Sequence, residues 1–161
     1  MKAVRAHQWC LPRDLVIDEI ERPEPHRGEV LVRVQSAALN FPDVLLIAGK
    51  YQVKPPLPFS PGLEVAGLVE DLGEGVTGFS RGQPVMAQVA MGGFAEYVVA
   101  PISGVHPVPG GMTMDEAAAF PLVYQTSYFG IAYRGALQKG ESVLVHSAAG
   151  GVGLAAVQIA R

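Results

Sequence analysis

The chain holds one cysteine, Cys10, in 161 residues, which excludes an intramolecular disulfide framework and any multi-thiolate zinc or iron–sulfur site. No stretch approaches the roughly 18 uninterrupted apolar residues of a membrane span, and the Met1-Lys2 start lacks the apolar run of a signal peptide. A basic excess is missing too. With 12 Lys and Arg against 15 Asp and Glu, the formal charge of −3 leaves nothing to neutralise a phosphate backbone or an anionic membrane. The expectation is a cytoplasmic protein with neither nucleic acid nor membrane as partner.

What the chain has is apolar residues, 49% against 17% charged, enough to bury a core. It also has 19 glycines and 13 prolines, about a fifth of its length, where roughly 12% is usual. They lie between hydrophobic runs, so they punctuate many short elements. From residue 1 to about 120 those runs are strand-like. Val30, Val32 and Val34 alternate with Leu31, Arg33 and Gln35, the period of a strand with one buried face. Residues 1–8, 15–21, 63–72, 83–89 and 94–100 read likewise, and their spacing predicts a partly closed antiparallel barrel. One helix interrupts them over 44–48, entered through Asn40-Phe-Pro-Asp43 with Asn40 as N-cap and stopped at Gly49.

After about Pro121 the pattern changes. Residues 122–134 carry Tyr124, Tyr128 and Ile131 at helical spacing, and Ser142-Val-Leu-Val-His-Ser147 reads as a strand. Ala148-Ala-Gly150-Gly151-Val152-Gly153 then leads into a helix over 154–161. Strand, glycine turn and helix make the first half of a βαβ unit. A parallel strand needs a neighbour delivered by a crossover, so the sequence is expected to be part of a longer protein. In such a turn the free N–H groups of the helix N-terminus, aided by the helix dipole, face outward and suit a pyrophosphate. The spacing is that of G-x-G-x-x-G with Ala148 in the first place; Gly150 lets backbone approach the phosphates and Gly153 lets helix pack on strand. The alternative is a tight turn chosen for packing alone.

These residues, with Asn40-Phe-Pro-Asp43, Gly49-Lys-Tyr51, Pro55-Pro-Leu-Pro58, Pro61-Gly-Leu-Glu64-Val-Ala-Gly67, Gly73-Glu-Gly75-Val, Gly93-Phe-Ala-Glu-Tyr97 and Val145-His-Ser-Ala-Ala-Gly-Gly-Val-Gly153, resemble the medium-chain dehydrogenase/reductase superfamily. Within it, the chain looks like the zinc-independent NADPH:quinone oxidoreductases, and the likeness runs along its whole length. The resemblance implies a GroES-like, mostly β, partly open barrel over 1–121. A linking helix and the opening of an α/β Rossmann domain follow over 122–161, with NADPH, or NADH, and substrate in the cleft between the domains. It also implies a homodimer. The superfamily's zinc enzymes carry a cysteine near the position of Asn40, a histidine at that of Leu63, and a four-cysteine lobe. Here the amide, the isobutyl group and the lone thiol argue against a metal, as zinc needs about four N, S or O ligands. Two departures stand out. The family's Gly-Asp-x-Val turn is Gly82-Gln-Pro-Val85, and an arginine frequent before the Gly-x-Tyr segment is Ile47, a change expected to alter pocket polarity.

By resemblance Asn40 sits near the nicotinamide, Tyr51 meets the acceptor's ring or oxygen, and Thr126, Tyr128, Ala148, Gly150, Gly151, Val152 and Gly153 contact the cofactor. Each has a plainer reading: Asn40 as an N-cap paired with Asp43, Tyr51 as a surface aromatic over the proline run, Tyr128 as core. Glu64 is read as a structural partner for a cation or backbone group rather than a general acid, His146 as a packed strand residue, and Cys10 as inert. The expected activity is hydride transfer from NADPH to a quinone or other conjugated carbonyl. An enoyl-thioester or alkenal reductase is the nearest alternative, and a non-catalytic NADPH-binding structural protein is one of another class. The 161-residue chain alone is expected to be inactive.

Overall fold

Valine-rich runs satisfy their backbone groups by pairing with one another. In the computed structural model, which describes residues 1–161, they form β3 (Glu29–Ala37), β4 (Glu64–Leu72), β5 (Pro84–Gln88), β6 (Tyr97–Pro101) and β7 (Val105–Pro107). The sheet is antiparallel throughout, in the order β6-β3-β4-β5-β7, and curls into a half-barrel. Before it in sequence, β1 (Lys2–Arg5) pairs with β2 (Val16–Glu19), and isolated bridges from Ala3 to Ala95 and Ala6 to Phe59 tie β1 to later loops. Strand β7 is an element the spacing did not predict.

Inside the curl, Val30, Val32, Val65, Val69, Val85, Ala87, Val89, Val98, Ala100 and Val105 form one buried cluster. Most of these side chains are β-branched, which fits a pleated surface and resists helix. The alternation predicted for β3 holds only from Arg33 onward, because Leu31 is buried between Val30 and Val32. Both faces are covered at that end of the strand, where the register also shifts between Leu31 and Val32.

Helix α1 (Phe41–Ile47) starts after Asn40 and turns out at Gly49, close to the predicted bounds. A second helix, α2 (Met114–Ala118), lies against β3, β4 and β5. Its signal was legible as Thr113-Met-Asp-Glu116, a capping box in which Thr113 Oγ1 accepts from Glu116 N and the Glu116 carboxylate accepts from Thr113 N at 2.8 Å.

The chain divides into two compact units, Met1–Ala119 and Phe120–Arg161. In the second, α3 (Pro121–Tyr128) continues into a wider, π-type turn over Phe129–Arg134, and α4 (Gly151–Ile159) closes the chain. Helix α4 starts before the predicted 154, so Gly151 and Gly153 belong to its first turn. The strand predicted over 142–147 is absent: those residues pair with no strand, and Leu144 is 81% exposed. The physical reason is the one that governs all parallel strands. Apolar composition cannot supply the neighbouring backbone that a ladder requires. No helix is long and apolar enough to cross a membrane.

Candidate functional site

In the first unit the site is built around the entry to α1. Asn40 has extended backbone (φ −120°, ψ 157°), Pro42 stands in the first turn, and Asp43 occupies the third helical position. Asp43 is fully buried. Its Oδ2 accepts from Asn40 N at 2.8 Å and its Oδ1 from Gly62 N at 3.0 Å, so one carboxylate joins α1 to the segment leading into β4. Burial pushes the Asp43 carboxyl above the usual aspartate range, and the two N–H donors pull the other way. Gly62 makes this approach possible. At φ +102°, a Cβ there would stand 2.6 Å from Phe94 N and 2.8 Å from Gly93.

The side chain of Asn40 does not cap the helix. Its Nδ2 donates instead to Oε1 of Glu64 at 2.8 Å, and Glu64 is only 1% exposed. The Glu64 carboxylate thus holds a side-chain amide, a partner that the sequence reading, with its cation or backbone group, did not name. Half-buried Asn40 lies in the chain between two exposed apolar residues, Leu39 (70%) and Phe41 (74%). Tyr51 is half-buried, against both readings that placed it on an exposed loop. After Gly49 the chain folds back, with Lys50 N donating to Leu45 O. Tyr51 then packs with Leu63, Met91 and Cys10 on the cluster of Ala6, Leu46 and Phe59. Burial and the nearby Asp14 push the Cys10 thiol up, away from the reactive thiolate.

Ile47 is 1% exposed and belongs to the interior, so it does not set the polarity of an open pocket as expected. The departure at Gln83 also resolves. Its Oε1 accepts from Ser80 N at 3.0 Å, so the amide oxygen caps its own turn.

In the second unit the glycine turn forms as a left-handed Ser147 (φ +54°), a bond from Gly150 N to Ser147 O at 3.0 Å, and then α4. The α-helical ladder begins with Leu154 N donating to Gly150 O, which leaves the N–H groups of Gly151, Val152 and Gly153 without helical acceptors. A cleft of about 410 Å³ lies over them, lined among others by Val145, Ser147 and Gly150 through Gly153. The three glycines differ in what demands them. At Gly153 a Cβ would meet Ser147 O at 2.4 Å, and at Gly151 it would press on Val123 at 3.1 Å. Gly150 has an ordinary φ of −81°, and a Cβ there would touch only Ser147 O at 3.5 Å. Nothing in this unit requires glycine at 150.

Helix α3 packs on α4 through buried Ser127, whose Oγ donates to Val152 O at 2.7 Å, and through Tyr124, whose hydroxyl donates to Gln158. Ser127 was not singled out from the sequence, although it sits between two residues that were. Thr126 is exposed and Tyr128 is 62% exposed, so Tyr128 is not core in this unit. Ala148 is exposed in the turn, and His146 is exposed rather than packed in a strand. No three His, Cys, Asp or Glu side chains gather where they could hold a metal ion.

Residues 26–110 match the family described as the alcohol dehydrogenase GroES-like domain. The quinone oxidoreductase of Lama guanicoe is 40% identical over 163 residues, covering 100% of this chain and 49% of that protein. The crystal structure of human synaptic vesicle membrane protein VAT-1 homolog-like protein superposes with a TM-score of 0.95 at 40% identity, over 99% of this chain and 52% of that one. The quinone oxidoreductase from Thermus thermophilus, also solved in complex with NADPH, gives 0.86 at 39% identity, over 99% and 49%. The chain spans about half the length of the relatives it matches.

Proposed function

The chain belongs to the alcohol dehydrogenase GroES-like domain family, and we propose that it stands in the quinone oxidoreductase branch of the medium-chain dehydrogenases/reductases and that the whole protein is an NADPH-dependent reductase of quinones or related conjugated carbonyls. The observation that carries the reading is Gly150. Its bare backbone borders an open cleft above three N–H groups that have no helical acceptor, where a side chain would intrude on a bound pyrophosphate but not on the protein. The residues present fit the cofactor. When bound, a nicotinamide supplies the hydride.

What this chain's residues contribute is binding and orientation. Gly151, Val152 and Gly153 would hold the phosphates through their backbone N–H groups, and Thr126 and Tyr128 are exposed on the helix packed beside them. Asn40 offers a half-buried hydrogen-bonding group, flanked in the chain by the exposed apolar residues Leu39 and Phe41. We read the reaction as zinc-independent. The amide at 40 is engaged by Glu64, and Leu63 packs into an apolar cluster, so the two positions that ligate metal in the zinc enzymes offer no basic donor pair.

The test is loss of NADPH absorbance when the whole protein meets a panel of quinones, 2-enones and enoyl thioesters. Turnover with quinones or 2-enones is expected. Turnover confined to enoyl thioesters transfers the protein to the double-bond reductases, and tight NADPH binding without turnover on any acceptor refutes an enzymatic role.

A further inference from the structure

We infer that Glu64 is a positioning residue: its buried carboxylate holds the carboxamide of Asn40 in one of its two flip states, so that Asn40 presents an acceptor, Oδ1, and recognises a hydroxyl on its ligand. The inference rests on the reading of Asn40 as a ligand-facing residue and deepens it.

An asparagine carboxamide is nearly symmetric in shape but has a donor at one end and an acceptor at the other. In water it rotates, and it can offer either end to a ligand. Here Nδ2 is committed to Oε1 of Glu64 at 2.8 Å, in a pair whose carboxylate is 1% exposed. The Glu64 oxygen that takes Nδ2 is an acceptor in this pair, so turning the amide over would set Oδ1 against it, oxygen to oxygen. The base of the pair is also held. Asn40 N donates to Asp43 Oδ2 at 2.8 Å, and Asp43 is in turn bound by Gly62 N, two residues before Glu64. The backbone that carries Asn40 and the segment that carries Glu64 are thus joined through one buried carboxylate. Two consequences follow for selectivity. A carbonyl oxygen gains little from Asn40, whereas an O–H group on the nucleotide's sugar or on the reduced acceptor finds an acceptor already oriented. Orientation fixed before binding spares the ligand the cost of ordering the side chain.

The experiment is a donor–acceptor swap. Asn40→Asp alone places two carboxyl groups face to face, and Glu64→Gln alone replaces the carboxyl partner by an amide and lets both amides turn. Combined, they restore a single bond with its sense reversed, the new amide at position 64 donating to the new carboxylate at position 40, and still leave an acceptor oxygen at position 40. In this chain, thermal unfolding is expected to show a large loss for Asn40→Asp that the double variant mostly recovers. The two Nδ2 protons of wild-type Asn40 are expected as a widely split pair in ¹H–¹⁵N spectra, collapsing in Glu64→Ala.

In the whole protein, Glu64→Gln is expected to weaken ligand recognition about tenfold, the size of one hydrogen bond, with the double variant again recovering. A loss in NADPH affinity measured without acceptor identifies the sugar as the hydroxyl's source, and a loss only in kcat/KM for the acceptor identifies the reduced product. Recovery of stability without recovery of recognition overturns the inference, because the free atom on the side chain at position 40 would then have to be a donor. An unsplit Nδ2 pair indifferent to Glu64→Ala overturns it as well. Absence of any turnover in the wild-type protein counts against the proposed function, and the spectrum still decides whether Glu64 holds the amide.

Discussion

At the scale of single residues, the strongest demand in the first unit falls on Asp43. Both of its oxygens accept from backbone N–H groups, of Asn40 and Gly62, and the side chain has no exposure. Asp43→Asn turns one acceptor into a donor facing an N–H and is expected to cost about 2 kcal/mol in urea unfolding. The pH dependence has a definite sign. Burial raises the folded-state pKa above the ordinary aspartate value, so on raising the pH the unfolded chain releases this proton first. Asp43's contribution is therefore full below the unfolded pKa and is lost as pH rises through the raised folded value. Urea midpoints across the acid range should show the wild-type advantage over Asp43→Asn largest at the acid end and shrinking upward.

The glycines separate by the same reasoning. Gly153→Ala is expected to disrupt the turn, as its Cβ would lie 2.4 Å from Ser147 O. Gly150→Ala should leave the circular dichroism of the chain unchanged and abolish NADPH binding by the whole protein, measured by fluorescence quenching. Loss of helical signal in Gly150→Ala would show that the glycine serves packing instead.

At the scale of elements, capping and pairing decide what forms. Helix α2 has five residues and depends on the reciprocal bonds between Thr113 and Glu116. Thr113→Ala is expected to lower stability by about 1 kcal/mol, read as a fall in thermal midpoint. Hydrogen bonds from Thr113 hold the Glu116 carboxyl below the usual glutamate range. The benefit is present above the unfolded pKa and lost as pH falls through the depressed folded value, so the penalty of Thr113→Ala should diminish in acid.

Helix α1 was readable almost to its ends because Asn, Pro, Asp and Gly each act within one turn of chain. What the same letters did not reveal is that Asn40 spends its side chain on Glu64, since residues 24 apart meet only through the fold. Similarly, nothing local distinguishes Leu31, buried, from a residue on an open face of β3.

At the scale of the whole chain, the two units differ in how far their elements support one another. In Met1–Ala119, β3 is flanked by β4 and β6 over a shared apolar cluster, whereas in Phe120–Arg161 the segment 142–147 has no ladder. Hydrogen exchange should therefore be slowest at the amides of β3 and β4 and fast across 142–147. Slow exchange in that segment would mean that it has found a strand partner.

The strands of the first unit other than β7, the turn residues and the order of motifs were determined by the sequence alone, because alternation, β-branching and glycine act over a few residues. The place of the glycine turn ahead of a helix was legible in the same way, but not the reason for each glycine. The tertiary structure alone decided that Gly153 answers to Ser147 and Gly150 to nothing in its own unit, that Tyr51 is half-buried, and that Val143, Leu144 and Val145 form no strand. Each of these depends on atoms brought from elsewhere in the chain. A strand exists only where another backbone meets its hydrogen bonds, and a carboxamide has a direction only where a buried carboxylate imposes one.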